Sequence, residues 1–295
     1  METEEREKSM SRLIKKRINR SVAGDVFLFL FLSIGAIFML LPMIYAIATS
    51  LKPSNELWLF PPRFFVKNPT LKNFRDLFSL MSNSWVPFSR YIFNTLFITV
   101  VGTAGHVIIA SLCAFPLAKY RFPGTRLFFV VAELALMFST ATTAIPNYLI
   151  MSKIGLLDTY WSLILPAFAM SLGLYLMKQF MEQSIPDSLL EAATIDGAGY
   201  WVTFWRIVMP LVKPAWLTLI IFSVQSLWGI GNSSFIYSEQ LKTMVYAFSQ
   251  IQAAGVARMG GGGAISVIMM IVPVTVFIFS QSNIVETMAT SGMKD

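Results

Sequence analysis

The side chains best suited to polar recognition lie in one segment of this 295-residue chain, "EAATIDGAGYWVTFWRIVMP", which runs from Glu191 to Pro210. Glu191 can accept charge-assisted hydrogen bonds, which are stronger than neutral ones. Ala192 and Ala193 would let another surface approach closely, and Gly197 permits a sharp turn. The combination would suit a surface that binds another protein.

Residues that could carry catalysis are scarce. His106 is the only histidine and Cys113 the only cysteine, which excludes a histidine metal cluster, a disulfide framework and a CxxC pair. The Gly260–Gly263 run lacks the Lys-Ser or Lys-Thr of a Walker A loop, so nucleotide chemistry would belong to another polypeptide. We therefore expect no enzymatic activity and no cofactor in this chain.

The composition places the chain in a lipid bilayer. Hydrophobic residues make up 55% of the chain, charged residues only 13%, and the mean hydropathy is +0.63. A helix needs roughly 20 apolar residues to cross the hydrocarbon core. Candidate spans cover residues 26–48, 91–117, 127–150, 161–177, 216–230 and 264–280. The predicted fold is an all-α polytopic membrane protein with six spans and a helix-turn-helix loop between spans 4 and 5.

The distribution of basic residues predicts the orientation. Lys119, Arg121 and Arg126 crowd into one short connection, whereas the loop 151–160 contains only Lys153. By the positive-inside rule both termini are cytoplasmic. The outer loop 49–90, with six basic residues, conflicts in part with this orientation.

The predicted organisation has three parts. A basic cytoplasmic segment, 1–25, precedes a six-span domain, 26–281, whose inner loop covers about 182–214, and a cytoplasmic tail, 282–295, follows. The net charge of +7 is concentrated in "RLIKKRINR" beside the first span. Anionic lipid explains charge in that position, so we expect membrane lipid and not nucleic acid as its partner.

The inner loop is predicted to begin with a short amphipathic helix. Ser184 can cap it, Pro186 suits its first turn, and Gly197 suits its C-terminal stop. The predicted polar face holds Asp187, Glu191 and Thr194, and the apolar face holds Ile185, Leu189, Ala192 and Ala193.

A second segment of the inner loop follows the glycines. Trp201, Phe204, Trp205 and Val208 recur at helical spacing, and Pro210 should end or kink the helix. Periodicity alone leaves two interpretations open. The pair of segments either lies in the membrane interface or forms a compact knob that docks into a groove of a soluble partner.

Glu191, Ala192, Ala193, Gly197, Ile207 and Pro210 stand in the register of a known signature. The segment resembles the EAA motif of permease subunits in binding-protein-dependent ABC importers, with Met209 where leucine is usual. The "IDGAG" version and the ending "QSNIVETMATSGMKD" resemble the carbohydrate branch, in particular the maltose-type permease.

The resemblance implies a role and a set of partners. The chain would be a subunit of the bacterial or archaeal inner membrane that imports sugars by alternating access. It would pair with a second permease, two ATP-binding subunits that carry ATP and magnesium, and an extracytoplasmic solute-binding protein. Residues implied in ATPase coupling are Glu191, Ala192, Ala193, Asp196, Gly197, Ile207 and Pro210. Alternatives are an ABC permease for a peptide or polyamine, and a stand-alone secondary transporter.

A few polar residues within or near the spans are candidates for the substrate pathway. Glu133 is the only acid within a predicted span, where it either contacts sugar or is a satisfied carboxyl near a helix end. The remaining candidates, which could equally join helices through hydrogen bonds, are Asn94, Asn147, Gln225 and Asn232. His106 is expected to pack beside Gly102 and Gly105. An adaptable outer loop, 231–263, is expected to contact the solute-binding protein.

Overall fold

The computed structural model describes residues 22–82, 86–231, 234–253 and 255–291, which form helices and turns and contain no β-strand. The helices are α1 (Val22–Leu51), α2 (Ser54–Leu57), α3 (Lys72–Ser82), α4 (Phe88–Lys119), α5 (Thr125–Leu136), α6 (Thr140–Lys153), α7 (Trp161–Phe168), α8 (Ser171–Ser184), α9 (Asp187–Ile195), α10 (Tyr200–Leu211), α11 (Lys213–Trp228), α12 (Met244–Ala253) and α13 (Met259–Ser291). Short 3₁₀ turns lie at Glu239–Leu241 and Gly255–Arg258.

Within the described ranges, four helical stretches are long and apolar enough to cross a membrane. They are Ala23–Leu51, Phe88–Lys119, Trp161–Ser184 and Met259–Gln281, and two bent helix pairs raise the number of possible spans to six. The described chain is therefore an all-α, polytopic membrane protein, as predicted.

The predicted span 127–150 is divided into two helices. α5 and α6 meet at an angle of 114°. The Ser139 side chain accepts a hydrogen bond from the Thr142 backbone N–H (3.3 Å), so α6 begins with its own N-cap. A side-chain cap offers the backbone an alternative to continuing the preceding helix, which explains why apolar periodicity alone did not reveal the break.

Close packing joins α4 to the junction of α7 and α8. His106 is buried, and its Nδ1 lies 2.8 Å from the Ala167 carbonyl oxygen. A Cβ atom on Gly173 would lie 2.1 Å from His106 Nε2, and one on Gly105 would lie 2.1 Å from the Phe168 ring. These contacts agree with the packing role expected of His106.

The tetraglycine run lies in a helix and not in the predicted outer loop 231–263. α12 occupies part of that loop, and α13 already begins at Met259. A Cβ atom on Gly263 would lie 2.8 Å from the Ser50 backbone nitrogen. Gly263 therefore permits close approach of α13 to the end of α1, a packing role that the flexibility of glycine in isolation did not suggest.

The structure describes the chain around the predicted boundary at residue 281 but little of the segment before the boundary at residue 25. α13 continues past residue 281 to Ser291, because neither proline nor glycine interrupts the sequence between them. The predicted basic segment 1–25 lies outside the described residues apart from 22–25, which begin α1.

The close approach of α13 to α1 can be tested with a matched pair of substitutions. Gly263→Ala should lower the melting temperature of the purified subunit in detergent, because its methyl group meets backbone that cannot rotate away. Gly262→Ala should be neutral or stabilising by up to about 1 kcal/mol, since no atom lies within 4 Å of its Cβ position and alanine favours helix. Equal melting temperatures would contradict the packing described.

Candidate functional site: the EAA segment

The EAA segment, residues 185–211, is held by a buried apolar base. Ile185, only 1% exposed, packs with Phe204 and Val208 in one cluster with Phe115 of α4 and Met181 of α8. This cluster also contains α11 side chains. The segment is therefore packed directly onto the helices that cross the membrane.

The apolar face of α9 differs from the predicted one. Leu190 packs against the cluster and Ala193 is buried, whereas Leu189 and Ala192 are exposed. The helix begins only at Asp187, after an extended Pro186, so Ile185 is not part of it and does not set its face. The predicted polar face, with Asp187, Glu191 and Thr194, is exposed as expected.

Ser184 does not cap α9. It is the last residue of α8, and Pro186 occupies the N-cap position without a side-chain hydrogen bond. Asp187 instead places a carboxylate in the first turn, where negative charge interacts favourably with the helix dipole.

The C-terminus of α9 forms a Schellman motif around Gly197. The Ala198 N–H donates to the Ala193 carbonyl (2.9 Å), and the Gly197 N–H donates to the Thr194 carbonyl (3.0 Å). Gly197 has a φ of +78°, a left-handed conformation that costs other residues energy. The predicted stop at Gly197 is confirmed, and the motif fixes the direction in which the chain leaves α9.

An ion pair connects α9 to the end of α4. Lys119 Nζ lies 2.8 Å from Asp187 Oδ1, with the lysine side chain 6% exposed and the aspartate 80% exposed. The hydrogen bond and charge of Lys119, assisted by Arg121, hold the pKa of Asp187 below its usual value. This stabilisation is present above the ordinary aspartate pKa and is lost as the pH falls through the lowered value. Sequence reasoning used Lys119 only for orientation and missed the pair, because the partners are distant in sequence.

The aromatic residues of α10 do not share one face. Phe204 and Val208 are buried, whereas Trp201 is 63% exposed and Trp205 is also exposed. The cause is a π turn at Thr203–Val208, whose i→i+5 hydrogen bonds change the angular spacing of side chains from that of an α-helix.

Ring contacts tie α10 to the end of α4. The centroids of Tyr200 and Tyr120 are 5.7 Å apart, and those of Phe115 and Phe204 are 5.8 Å apart. Tyr120 and Phe115 pack edge to face at 5.4 Å. These ring contacts support the N-terminal part of α10 from one short stretch at the end of α4.

Pro210 lies within α10, which continues to Leu211. The bend of 78° follows at Val212, the residue between α10 and α11, so the expected kink lies beyond the proline. The Trp216 indole N–H donates to the Met209 carbonyl across this bend (3.1 Å). Pro210 is exposed and Ile207 is half-buried.

The surface of the EAA segment that faces away from the bundle is both apolar and acidic. Ile195 is 86% exposed, and Tyr200 and Trp201 are also exposed. Glu191 and Asp196 share this exposure. A cavity of about 620 Å³ opens beside it, lined by Lys119, Tyr120, Asp187, Leu190, Glu191, Thr194 and Ile195.

The candidate pathway residues are not brought together. Asn94 is fully buried and donates to the Gln240 and Lys242 carbonyls (both 2.8 Å) while accepting from the Tyr160 hydroxyl (2.7 Å), which favours the helix-joining alternative. Asn147 is half-buried. Gln225 and Glu133 are exposed on α11 and α5. Asn232 lies outside the described residues. Among the described residues no group of three or more His, Cys, Asp or Glu could hold a metal ion.

Comparison with known protein families identifies the family of this chain. Residues 106–289, which include the whole EAA segment, match the family described as "Binding-protein-dependent transport system inner membrane component". The chain belongs to this family. It is a permease subunit of an ABC importer, not an enzyme, and a multi-pass protein of the inner membrane that works with other importer components.

Individual relatives agree with the family assignment. Protein LplC of Bacillus subtilis is 38% identical over 214 residues, which cover 72% of this permease and 70% of that protein. The Bacillus subtilis polygalacturonan/rhamnogalacturonan transport system permease protein YtcP is 32% identical over 217 residues, 72% of each chain.

A solved structure extends the similarity to the three-dimensional fold. It is described as a bacterial ABC transporter involved in the import of the acidic polysaccharide alginate. One of its chains matches with a TM-score of 0.74 and 26% identity, covering 90% of this permease and 98% of that chain.

The left-handed turn of the permease can be tested with two nearby glycines. Gly197→Ser should weaken the Schellman motif by about 1–2 kcal/mol, the cost of a left-handed conformation in a non-glycine residue. Gly199→Ser should be tolerated, because Gly199 has a φ of −72° and serine suits its N-cap position. Hydrogen exchange of the peptide 187–198 should accelerate about five- to thirtyfold in the first variant alone. Equal exchange in both variants would contradict the role given to Gly197.

Proposed function

We propose that this permease imports a sugar or oligosaccharide and forms half of the translocation pathway with a second, different permease. Two ATPase subunits would bind ATP and magnesium below it, and an extracytoplasmic solute-binding protein would deliver the sugar above. The relatives support this substrate class, since YtcP is named for a polygalacturonan and rhamnogalacturonan system and the alginate transporter for a polysaccharide.

The observation that carries the coupling proposal is the division of the EAA segment into a buried base and an exposed tip. Ile185 and Val208 are buried in the bundle, whereas Glu191, Asp196 and Ile195 project from it. We infer that the tip docks into the ATPase and that the base passes its movement to the spans. Glu191 is then an acceptor of hydrogen bonds from the ATPase and not a catalytic acid.

The charge of the tip also argues against an interfacial helix pair. Helices that lie in a membrane interface are rich in lysine and arginine on their polar face, which attracts anionic lipid. The polar face of α9 instead carries Asp187 and Glu191, with Asp196 directly after it. Anionic lipid headgroups would repel this surface, whereas basic side chains of a protein groove would complement it.

Charge removal at Glu191 tests the docking proposal. Glu191→Gln keeps the shape and helix propensity of the side chain but removes its charge. Losing hydrogen bonds to a charged group costs about 1.5–3 kcal/mol, so affinity for the ATPase should fall about ten- to hundredfold. Sugar uptake and ATP hydrolysis stimulated by the binding protein should fall with it in reconstituted vesicles.

Glu182→Gln is the matched control for this substitution. Glu182 is also exposed, lies at the end of α8, and pairs with Lys178 one turn away. Its replacement should leave ATPase affinity and uptake near the parental values. If both variants behave like the parent, the EAA segment does not dock through Glu191.

We further propose that the EAA segment and both termini are cytoplasmic. Lys119, Arg121 and Arg126 lie at or just after the end of α4 that packs on the EAA segment, where the positive-inside rule places basic residues in the cytoplasm. The opposite end of α4 holds the residues 239–242 through Asn94.

Thiol labelling tests this orientation in a Cys113→Ser background. Gln240→Cys should react with an impermeant maleimide added to intact cells, because Gln240 is exposed near the proposed outer end of α4. Ser9→Cys should react only after permeabilisation. The reverse pattern would overturn the orientation.

A further inference from the structure

A cavity of about 430 Å³ opens between α6 and the segment that follows α11. It is lined by Thr143, Ala144, Ile145, Asn147, Tyr148, Ser234 and Phe235. Its volume lies within the range of about 300–1,000 Å³ that is typical of small-molecule sites. Asp158, which follows α6, contacts residues 235–238, so the cavity lies at the proposed outer end of the bundle.

Two aromatic rings form one wall of the cavity. Tyr148 and Phe235 stack with their planes 14° apart and their centroids 6.3 Å apart. The Tyr148 hydroxyl also shares a hydrogen bond of 2.7 Å with the Tyr237 hydroxyl. The wall is therefore aromatic, with hydroxyl groups beside the rings.

The loop side of the wall is fixed by Asp158. Its carboxylate accepts hydrogen bonds from the Tyr237 N–H (2.9 Å) and the Ser238 N–H (2.8 Å), and its own N–H donates to the Phe235 carbonyl (2.7 Å). These contacts hold Phe235 and Tyr237 in place. A wall positioned in this way does not need to be ordered by a ligand.

The Asn147 side-chain amide offers hydrogen-bonding groups beside the rings. It is half-buried, lines the cavity, and makes no hydrogen bond with the part of the chain that the structure describes. An amide offers both donors and an acceptor, as a sugar hydroxyl does. The lining residues that the structure describes include no charged side chain, so none of them would neutralise a phosphate or carboxylate group.

We propose that this cavity contacts an uncharged pyranose ring of the transported sugar near the outer mouth of the pathway. The C–H face of the ring would lie on Tyr148 and Phe235, and its hydroxyl groups would bond with Asn147. The proposal rests on sugar import as the function of the permease. It adds where one contact with the sugar lies and that the contacted sugar ring is uncharged. The competing explanation is a tyrosine-rich membrane interface, where aromatic rings are common without any ligand.

Thiol protection in the assembled importer tests the contact directly. An Asn147→Cys variant, in a Cys113→Ser background, is reconstituted with the second permease, the ATPase and the binding protein. Maltotriose, cellotriose and diacetylchitobiose serve as neutral probes and trigalacturonate as a charged one. A transported neutral sugar should slow maleimide labelling at this position several-fold, whereas trigalacturonate should not. An Asn68→Cys variant, exposed in the outer loop, should label at the same rate with or without sugar.

Uptake provides the second readout. Asn147→Ala should slow transport of the protecting sugar about two- to tenfold, the range expected for one lost hydrogen bond, and Asn68→Ala should not. If a neutral sugar is transported without protecting the thiol, the cavity is only part of the aromatic interface and this inference is wrong. Protection by trigalacturonate would contradict the proposal that the contacted sugar ring is uncharged. If the parent transports no sugar at all but another solute, the proposed function itself fails.

Discussion

The packing of Ile185, Phe204 and Val208 against α4 and α8 is the contact on which the EAA segment depends. Burying one such side chain contributes about 1.5–3 kcal/mol. The ion pair between Lys119 and Asp187 contributes less, because solvent screens the exposed carboxylate. Apolar packing therefore holds the segment, and the ion pair and the turn at Gly197 set the direction of α9. Without this base, the exposed tip would have no rigid connection to the spans.

The helix α4, against which this base packs, connects the two ends of the permease. This helix has 32 residues, which at 1.5 Å per residue extend over about 48 Å. Phe115 near one end contacts the EAA segment, and Asn94 near the other holds the residues 239–242 by two hydrogen bonds of 2.8 Å. If the ATPase docks as proposed, a displacement there would have a path of packed residues along α4 to the proposed outer end, where the cavity beside Tyr148 lies.

Features determined locally could be predicted from the sequence, and features determined by tertiary contact could not. The spacing of apolar residues predicted the helical membrane fold, and Gly197 predicted the end of α9. The register of the buried face of α9 and the π turn before Pro210 depend on packing against α4 and α8. The run of glycines from 260 to 263 was predicted to lie in a loop, because the contact of Gly263 with Ser50 is long-range. A single sequence contains no signal for such contacts.

We expect the EAA segment and α4 to move as one body in the assembled importer. Spin labels at Ser188 on α9 and Val100 on α4, both exposed, would measure their separation by pulsed electron resonance in the assembled importer. We expect the distance distribution to stay the same in the nucleotide-free and ATP-bound states, while distances from Ser188 to labels on the second permease change. A shift of several ångströms between Ser188 and Val100 on ATP binding would contradict the account, because the segment would then flex instead of transmitting movement.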